Sequence, residues 1–218
     1  MSEITKKKSI FLTFDDGPRP GTDDVISVLS SKQVKGTLFM VGIHKTGKWR
    51  IAQVFRAHKN AFTEVANHSY THANNQYLEY YKAPKKVVLG FEKAEKTLYL
   101  RNKIARLPGR NTWNIGGIRK SDGQSGIAAA QLRLKGYKIF GWDEEWHMKN
   151  NQPIESPKQM IEIVKKRFDR NDTQSPDKMV VLMHDQMFRR SENNTKKLEE
   201  FIDLLLEQSF EMKFLSEY

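Results

Sequence analysis

Apolar runs rich in β-branched and aromatic residues alternate with amphipathic stretches from one end of the chain to the other. Short apolar runs bounded by polar or glycine-containing segments are typical of buried strands. They predict seven strands, at residues 9–14, 36–41, 62–66, 104–107, 138–141, 179–183 and 211–215.

The amphipathic stretches predict helices between these strands. In the last of them, Leu198, Phe201 and Leu205 recur at the three- and four-residue spacing that places apolar side chains on one helical face. We interpret such stripes as faces turned toward the core. The same criterion predicts helices at residues 22–32, 49–59, 84–101, 126–135, 157–169 and 194–208.

Alternating strands and helices predict βα units around a parallel sheet. We expect an α/β fold, a distorted (β/α) barrel with about seven parallel strands, closed or nearly closed. The 218 residues are enough for one sizeable core, so a single domain over residues 1–218 is expected. Long loops are expected at residues 73–83, 108–125 and 145–156, each after a strand end.

Composition limits the classes of function. The chain has no cysteine, which excludes disulfides and thiolate metal sites. The net charge is +11, and we interpret the basic clusters as solvated faces because none accompanies a nucleic-acid-binding motif. No nucleic-acid partner is expected, and a monomer is expected. The clusters lie at residues 6–8, 44–50, 82–86, 165–170 and 189–197.

The sequence also bears on location. No apolar segment approaches the length of a membrane span, and residues 1–8 lack the apolar core of a signal peptide. We expect a periplasmic, cell-wall or secreted protein if an export signal was removed, and a cytoplasmic protein otherwise.

Two adjacent carboxylates, Asp15 and Asp16, follow the first predicted strand and precede Gly17 and Pro18. Consecutive strand side chains point to opposite faces, so both carboxylates can enter one cavity only if the backbone bends there. Close carboxylates repel, so the pair requires a proton, a cation or a metal ion beside it. The doublet therefore predicts a site with a positive partner.

His68 and His72 are candidate metal ligands where the third predicted strand ends. Histidines four residues apart meet on one face if the backbone between them is helical. Taken alone, this spacing is more often two solvated imidazoles in a polar turn. Together with Asp16 it predicts a divalent metal site, with Zn²⁺ as the first choice and Co²⁺, Ni²⁺ or Fe²⁺ as alternatives.

The other predicted strand ends extend this set, because the carboxyl ends of barrel strands meet at one rim. A fixed cation at Arg106 would hold Asp15 ionised and oriented as a general base. His184, beside a carboxylate, would protonate a leaving amine. Backbone N–H groups in the turn at residues 108–110 would stabilise an oxyanion. A metal, a base, an acid and an oxyanion site together describe hydrolysis of an amide or ester.

The order of these residues resembles the polysaccharide deacetylases of the NodB-homology type, carbohydrate esterase family four. Residues 13–17 match the family's first motif, whose first Asp is the base and whose second binds metal. Residues 68–72 match the second motif, with its two metal histidines. Residues 106–109 resemble the third motif, residues 142–146 the fourth and residues 182–184 the fifth, whose histidine is the acid. The resemblance covers nearly the whole chain.

The resemblance also implies a substrate site. It assigns an oxyanion-binding N–H to Gly109, and to Trp142 and Trp146 the wall that receives an acetyl methyl group. Leu182, in the fifth motif, and Tyr70, between the histidines, would line the same groove. Trp146 is equally compatible with a core ring, and Tyr70 with a packing role.

Two departures from the family pattern change these expectations. Gly109 stands where the family often carries an aromatic residue, which removes a ring for sugar stacking. Glu145 precedes Trp146 where the family usually has Asp, and Asp143 lies two residues earlier. Either acid could tune His184, and we favour Asp143.

Several conspicuous residues match no motif. His44, His58 and His147 are assigned surface or packing roles. Trp113 is compatible with a sugar-stacking platform or with a cap on the barrel, and Asp185 with an outward-facing position.

The resemblance implies a hydrolase of carbon–nitrogen bonds other than peptide bonds, a metal-dependent N-deacetylase whose partner is an N-acetylglucosamine polymer. Peptidoglycan is preferred because a cationic protein suits an anionic wall, and chitin oligosaccharides come next. Two alternatives remain open: another metal-dependent amidohydrolase acting on a small N-acyl substrate, and a carbohydrate-binding relative without turnover.

Overall fold

The computed structural model describes residues 7–218. Lys6, which begins the first basic cluster, and most of the segment considered for a signal peptide lie outside the described residues. Within residues 7–218, no helix is both long and apolar enough to cross a membrane.

Helices and strands alternate along the described chain. The helices are α1 Thr22–Lys32, α2 Gly47–Lys59, α3 Tyr77–Tyr81, α4 Pro84–Thr97, α5 Ser125–Leu134, α6 Pro157–Asp169 and α7 Thr195–Glu207. The strands are β1 Ser9–Gly17, β2 Gly36–Met40, β3 Thr63–Asn67, β4 Ile104–Ala105, β5 Trp113–Ile115, β6 Ile118–Lys120, β7 Lys138–Ile139, β8 Glu144–Glu145, β9 Met148–Lys149, β10 Gln152–Pro153, β11 Lys178–His184 and β12 Glu211–Met212.

One curled sheet dominates the molecule. Its order is β6-β5-β7-β4-β3-β2-β1-β11-β8, and β12 pairs with the start of β1. Neighbours from β7 to β8 are parallel, whereas β5 and β6 form an antiparallel hairpin at one edge. Among the described residues the sheet ends at β6 and β8, so it is a half-barrel. The expected distorted (β/α) barrel with about seven parallel strands is confirmed.

The predicted elements differ from the observed ones mainly at their ends. α1 and α6 have the predicted bounds, whereas α4 ends at Thr97, because Tyr99 has a φ of 56° and leaves the helical conformation. The segments expected as long loops contain α3, the β5–β6 hairpin and the β9–β10 hairpin. Elements this short carry too few residues for their periodicity to be recognised.

The alternation of side chains along β1 and β11 builds the rim of the barrel. Leu12 and Phe14 pack in the core between sheet and helices, whereas Phe11 packs in the interior of the curled sheet. Asp15 follows on the interior side, because strand side chains alternate with a period of two. Its partner in the register between β1 and β11 is His184. The sheet therefore brings two residues 169 positions apart to the same rim.

Candidate active site

A β-bulge at the end of β1 turns Asp16 toward Asp15. The register between β1 and β2 shifts between Asp15 and Gly17, and Asp16 has a φ of 77°. A bulge inserts one residue and re-aims the side chains beside it. Both carboxylates consequently line one cavity of about 440 Å³. The bend expected from the carboxylate doublet takes the form of this bulge.

The two histidines meet through a left-handed turn rather than an α-helix. Ser69 has a φ of 68°, and residues 72–75 all have positive φ. The Ser69 hydroxyl accepts the backbone N–H of His72 at 3.1 Å, and Asn67 Oδ1 accepts the N–H of Ser69 at 2.9 Å. These bonds hold the rings of His68 and His72 with centroids 4.9 Å apart. The helical backbone considered for this pair was therefore wrong, although the rings converge.

Asp16, His68 and His72 form a candidate metal centre. One ligand atom from each lies within 4.8 Å of the other two. His68 Nδ1 donates to the backbone oxygen of Arg106 at 2.9 Å, which leaves Nε2 with its lone pair. Burial, and next the proximity of His72, hold the pKa of His68 well below its usual value, so the ring is neutral as a ligand must be.

The carboxylate of Asp16 also fits a metal. Its Oδ1 lies 3.1 Å from His72 Nε2 and 3.8 Å from His68 Nε2. This oxygen is buried, and within residues 7–218 no aligned hydrogen bond reaches it. A buried carboxylate oxygen without a donor is costly unless a cation compensates it. One carboxylate and two imidazoles are a donor set that suits Zn²⁺ and similar divalent ions.

Arg106 is fully buried beneath the cavity lining and forms an ion pair with Asp15. Its Nη1 donates to Asp15 Oδ1 at 2.9 Å and to the Thr13 hydroxyl at 2.8 Å. Its Nη2 donates to the backbone oxygen of Gly141 at 2.8 Å. Burial lowers the pKa of Arg106 and the Asp15 charge opposes that shift. Asp15 Oδ2 remains on the side of the histidines, 3.5 Å from His68 Nε2.

Eight of the residues assigned from the sequence line this cavity together: Asp15, Asp16, His68, His72, Gly109, Trp142, Leu182 and His184. Arg106 acts behind them through Asp15. His184 stands across the sheet register from Asp15, and its Nδ1 is buried without a hydrogen-bond partner in the described part of the chain.

The sequence left two roles open for each of three aromatic residues, and the structure places all three outside the cavity lining. Trp146 is fully buried, packs against Phe188 and Phe201, and donates its Nε1 to the backbone oxygen of Glu155. Its ring is a core ring and not part of the cavity wall.

Tyr70 and Trp113 also lie away from the cavity. The ring of Tyr70 packs against Gly42 and lies beneath Lys93 Nζ, which is 3.7 Å from its centroid. Trp113 is 1% exposed and packs inside the curled sheet against Phe140. Trp113 therefore lacks the exposed face that a sugar platform requires, and Tyr70 does not line the groove.

Asp143 does not have the position expected of a group that tunes His184. Its two carboxylate oxygens accept the backbone N–H groups of Gln174 at 2.6 Å and Val180 at 2.7 Å. Burial raises the pKa of Asp143, and these two hydrogen bonds oppose that shift. Asp143 is thus a structural group that joins a loop to β11. Glu145, the other acid considered, lines the cavity.

Asp185 points inward and not outward. It is fully buried, accepts a short hydrogen bond from the Thr22 hydroxyl, and its Oδ1 has no partner among the described residues. Burial raises the pKa of Asp185 to about 7. Gly21 lies against it with a φ of 105°, and a Cβ there would meet the backbone oxygen of Asp185 at 2.1 Å.

The cavity contains residues that the motifs did not indicate. Arg19 and Tyr77 both line it. The ring of Tyr77 covers Gly109, where a Cβ would come within 2.8 Å of it, so the missing side chain at Gly109 makes room for an aromatic ring from the start of α3. His44 contacts both Arg19 and Asp16, so of the surface and packing roles considered for it the structure favours packing against the site. In the sequence, nothing marks Arg19, His44 and Tyr77 as site residues except that they lie in segments near the motifs.

A (β/α) half-barrel with carboxylates, imidazoles and a buried arginine at its carboxyl rim defines a candidate hydrolase. A family model described as polysaccharide deacetylase matches residues 2–111, about half of the chain and the first three motifs. The chain belongs to the polysaccharide deacetylase family. This confirms the family and the class of enzyme that the motifs indicated.

Individual relatives are more distant. A chitooligosaccharide deacetylase of Bradyrhizobium is 37% identical over 71 residues, 32% of this chain and 31% of that protein. YheN of Bacillus subtilis is 26% identical over 188 residues, 82% of this chain and 58% of YheN. The chain thus matches between about a third and somewhat over half of the length of these relatives.

Solved structures share the fold. The catalytic domain of a peptidoglycan N-acetylglucosamine deacetylase from Eubacterium rectale has a TM-score of 0.70 at 24% identity, covering 97% of this chain and 90% of that one. At this identity the likeness concerns the fold alone. The fourth and fifth motifs lie beyond the residues matched by the family model, so their roles stay predictions.

Proposed function

We propose that this protein is a metal-dependent N-deacetylase that hydrolyses the acetamide groups of N-acetylglucosamine polymers. The observation that carries the proposal is the convergence of Asp16, His68 and His72, with ligand atoms within 4.8 Å of one another, beside a second carboxylate. That second carboxylate, on Asp15, is ion-paired to buried Arg106 through Oδ1. Its Oδ2 remains available to accept a proton.

Asp16, His68 and His72 would hold the divalent ion, with Zn²⁺ as the first choice. When bound, such an ion polarises a carbonyl group and lowers the pKa of water. Asp15 takes the proton of the attacking water. Because Arg106 occupies its Oδ1, the base atom is Oδ2, on the side of His68. Arg106 orients the carboxylate through this charge-assisted hydrogen bond.

The remaining steps use other residues that line the cavity. The water oxygen bonds to the acetamide carbon, and the backbone N–H of Gly109 at the cavity rim donates to the developing oxyanion. His184 donates a proton to the amide nitrogen as the carbon–nitrogen bond breaks, so the products are acetate and a free amine. Trp142 and Leu182 supply the apolar wall for the acetyl methyl group.

Peptidoglycan is the preferred substrate and chitin oligosaccharides the next. The net charge of +11 favours association with an anionic wall polymer. A protein that acts on peptidoglycan works in the periplasm, at the cell wall or outside the cell, and we propose that location together with the substrate. We propose a monomer whose residues 1–218 form one catalytic domain.

Acetate release and metal content, measured on the same preparations, test the proposal. The substrates are N-acetylated chitotetraose and peptidoglycan, and bound metal is quantified by mass spectrometry. Asp15→Asn is expected to abolish acetate release and keep the metal. His68→Ala is expected to lose both. His147→Ala is the matched control, since its half-exposed ring pairs with Glu155 away from the cavity and should keep both.

Other outcomes would contradict specific parts of the proposal. Full activity in Asp15→Asn would refute the base assignment. Acetyl loss from small N-acyl compounds but not from either polymer would favour the other amidohydrolase. Binding of chitotetraose without acetate release by the metal-loaded protein would favour a carbohydrate-binding relative.

A further inference from the structure

Arg19 is a cavity residue whose guanidinium has no acidic partner in the described part of the chain. It follows the bulge that carries Asp16 and lines the same cavity. Its backbone is held by Thr22, whose hydroxyl accepts the Arg19 N–H at 2.8 Å, and by Gln53, whose amide donates to the Arg19 oxygen. Within residues 7–218 the side-chain contact of its guanidinium is with the neutral ring of His44, and its Nε is buried without a hydrogen-bond partner.

His44 holds this guanidinium at the cavity. Its Nδ1 lies 2.8 Å from the backbone oxygen of Asp16, which can only accept, so Nδ1 carries the hydrogen. Its Nε2 lies 3.1 Å from Arg19 Nη2, which can only donate, so Nε2 carries the lone pair. His44 is thus neutral, with a single tautomer, and links Arg19 to the backbone of the bulge.

The other cation beside the cavity is already occupied, and within residues 7–218 none of the three carboxylates that line it, on Asp15, Asp16 and Glu145, pairs with Arg19. Arg106 is used by Asp15 and backbone oxygens, and Asp16 belongs to the candidate metal centre. Arg19 uses one N–H on His44 and keeps the rest of its five donors for other partners. A guanidinium held in this way is suited to bind a carboxylate through two parallel hydrogen bonds.

We propose that Arg19, positioned by His44, binds a carboxylate carried by a sugar next to the N-acetylglucosamine unit that is deacetylated. The inference rests on the proposed function and makes it more specific, because it separates acidic glycans from neutral chitin oligosaccharides. The carboxylate can belong to a lactyl ether or to a uronic acid, since both present the same two oxygens.

Matched glycans test this. Peptidoglycan strands freed of their peptides carry lactyl carboxylates, and the same strands converted to methyl amides do not. Binding is measured by calorimetry in the Asp15→Asn background, and acetate release in the wild type. The wild type is expected to favour the free carboxylate in both assays. Chitotetraose and a uronic-acid-containing oligomer distinguish a neutral substrate and the second source of the carboxylate.

Arg19→Gln is expected to weaken binding of the free-carboxylate glycan by about 10- to 100-fold, the usual effect of losing a hydrogen-bonded charge. The loss of acetate release from the free-carboxylate glycan should exceed the loss from chitotetraose by about tenfold or more. Arg133→Gln removes the same charge from an exposed site on α5 and should change neither. His44→Phe should reduce the preference for the carboxylate in the same direction as Arg19→Gln.

Each outcome decides a separate point. Equal binding of free and amidated glycans by the protein with Arg19 intact would overturn the inference. If Arg19→Gln lost activity equally on acidic and neutral substrates, the inference would be overturned as well. Such a result would indicate that Arg19 supports the metal ligands rather than binding a carboxylate. An unchanged preference in His44→Phe would remove the role given to His44. Preference in binding without any acetate release would support the inference and refute the proposed function.

Discussion

Removal of Arg106 tests whether the buried ion pair holds the candidate base in place. The Arg106 side chain is fully buried and that of Asp15 is 5% exposed. Arg106→Met would keep most of the volume and leave Asp15 without its cation. Breaking a buried pair from one side costs about 3–5 kcal/mol, because an uncompensated charge stays behind. Arg106→Met is expected to destabilise the protein by that amount.

The double variant should recover part of this loss. Asp15→Asn keeps an oxygen that can still accept from Arg106, so we expect it to cost about 1–3 kcal/mol. In Arg106→Met with Asp15→Asn no buried charge remains. Its free energy of unfolding should therefore exceed the additive expectation by about 2–3 kcal/mol, within the range measured for contacting residues. Most domains have only about 5–15 kcal/mol in total, so the effect is large.

Equilibrium unfolding in urea measures all four proteins of this cycle. Circular dichroism in a chelator-containing buffer at pH 7 avoids stabilisation by bound metal. Arg133→Met is the control for loss of an exposed charge and should shift stability by less than about 0.5 kcal/mol. Additivity of the two single variants within about 0.5 kcal/mol would refute the argument that the pair, rather than the surrounding packing, positions Asp15.

Two further predictions concern Asp185 and the two tryptophans of the fourth motif. Burial raises the pKa of Asp185 from 3.8 to about 7, so the folded state holds one more proton between these values and its stability falls as pH rises, by about 1.4 kcal/mol per pH unit. Asp185→Asn should remove this term, and urea unfolding at pH 5 and pH 8 should show a relative stabilisation that grows with pH; a pH-independent difference would contradict it. Trp146→Ala should cost about 3–5 kcal/mol of stability, as for other buried aromatic rings. Trp142→Ala should instead reduce acetate release with little change in the unfolding midpoint, and the opposite pattern would reverse our assignment of the two rings.

Local patterns in the sequence were sufficient for most of the fold. β1, β2, β3 and β11 were predicted because their apolar runs reflect burial, which each strand carries in its own residues. The hairpin of β5 and β6 was missed because its strands have three residues each. β5 also joins the sheet through β7, where Asn114 pairs with Ile139 from a later part of the chain.

The candidate site likewise contains residues that the sequence could predict and residues that it could not. Asp15, Asp16, His68, His72 and His184 were assigned from their chemistry and from their positions after strand ends. The sheet register brings Asp15 and His184 to one rim, and the bulge at Asp16 and the left-handed turn before His72 bring the candidate metal ligands to the same cavity. Residues that support this set from outside the motifs had no comparable signal.

Asp143 and Trp146 show why such assignments fail. Both stand in the motif-like segment before β9, where spacing alone permits either an inward or an outward side chain. The carboxylate of Asp143 accepts hydrogen bonds from the backbone N–H groups of Gln174 and Val180. The ring of Trp146 packs against Phe188 and Phe201. These partners lie far away in sequence, so no local pattern identifies them.

The sequence by itself determined the α/β class and the strand ends that carry polar and titratable residues. It also determined the residue types able to bind a metal and move protons, because each of these features depends only on residues close together in the chain. The tertiary structure alone decided which groups share a cavity. It paired Arg19 with His44 and Tyr77 with Gly109, and it withdrew Trp146, Tyr70 and Asp143 from the site. The physical reason is that burial and hydrogen-bond partners are set by contacts between distant segments, and these exist only once the sheet has curled.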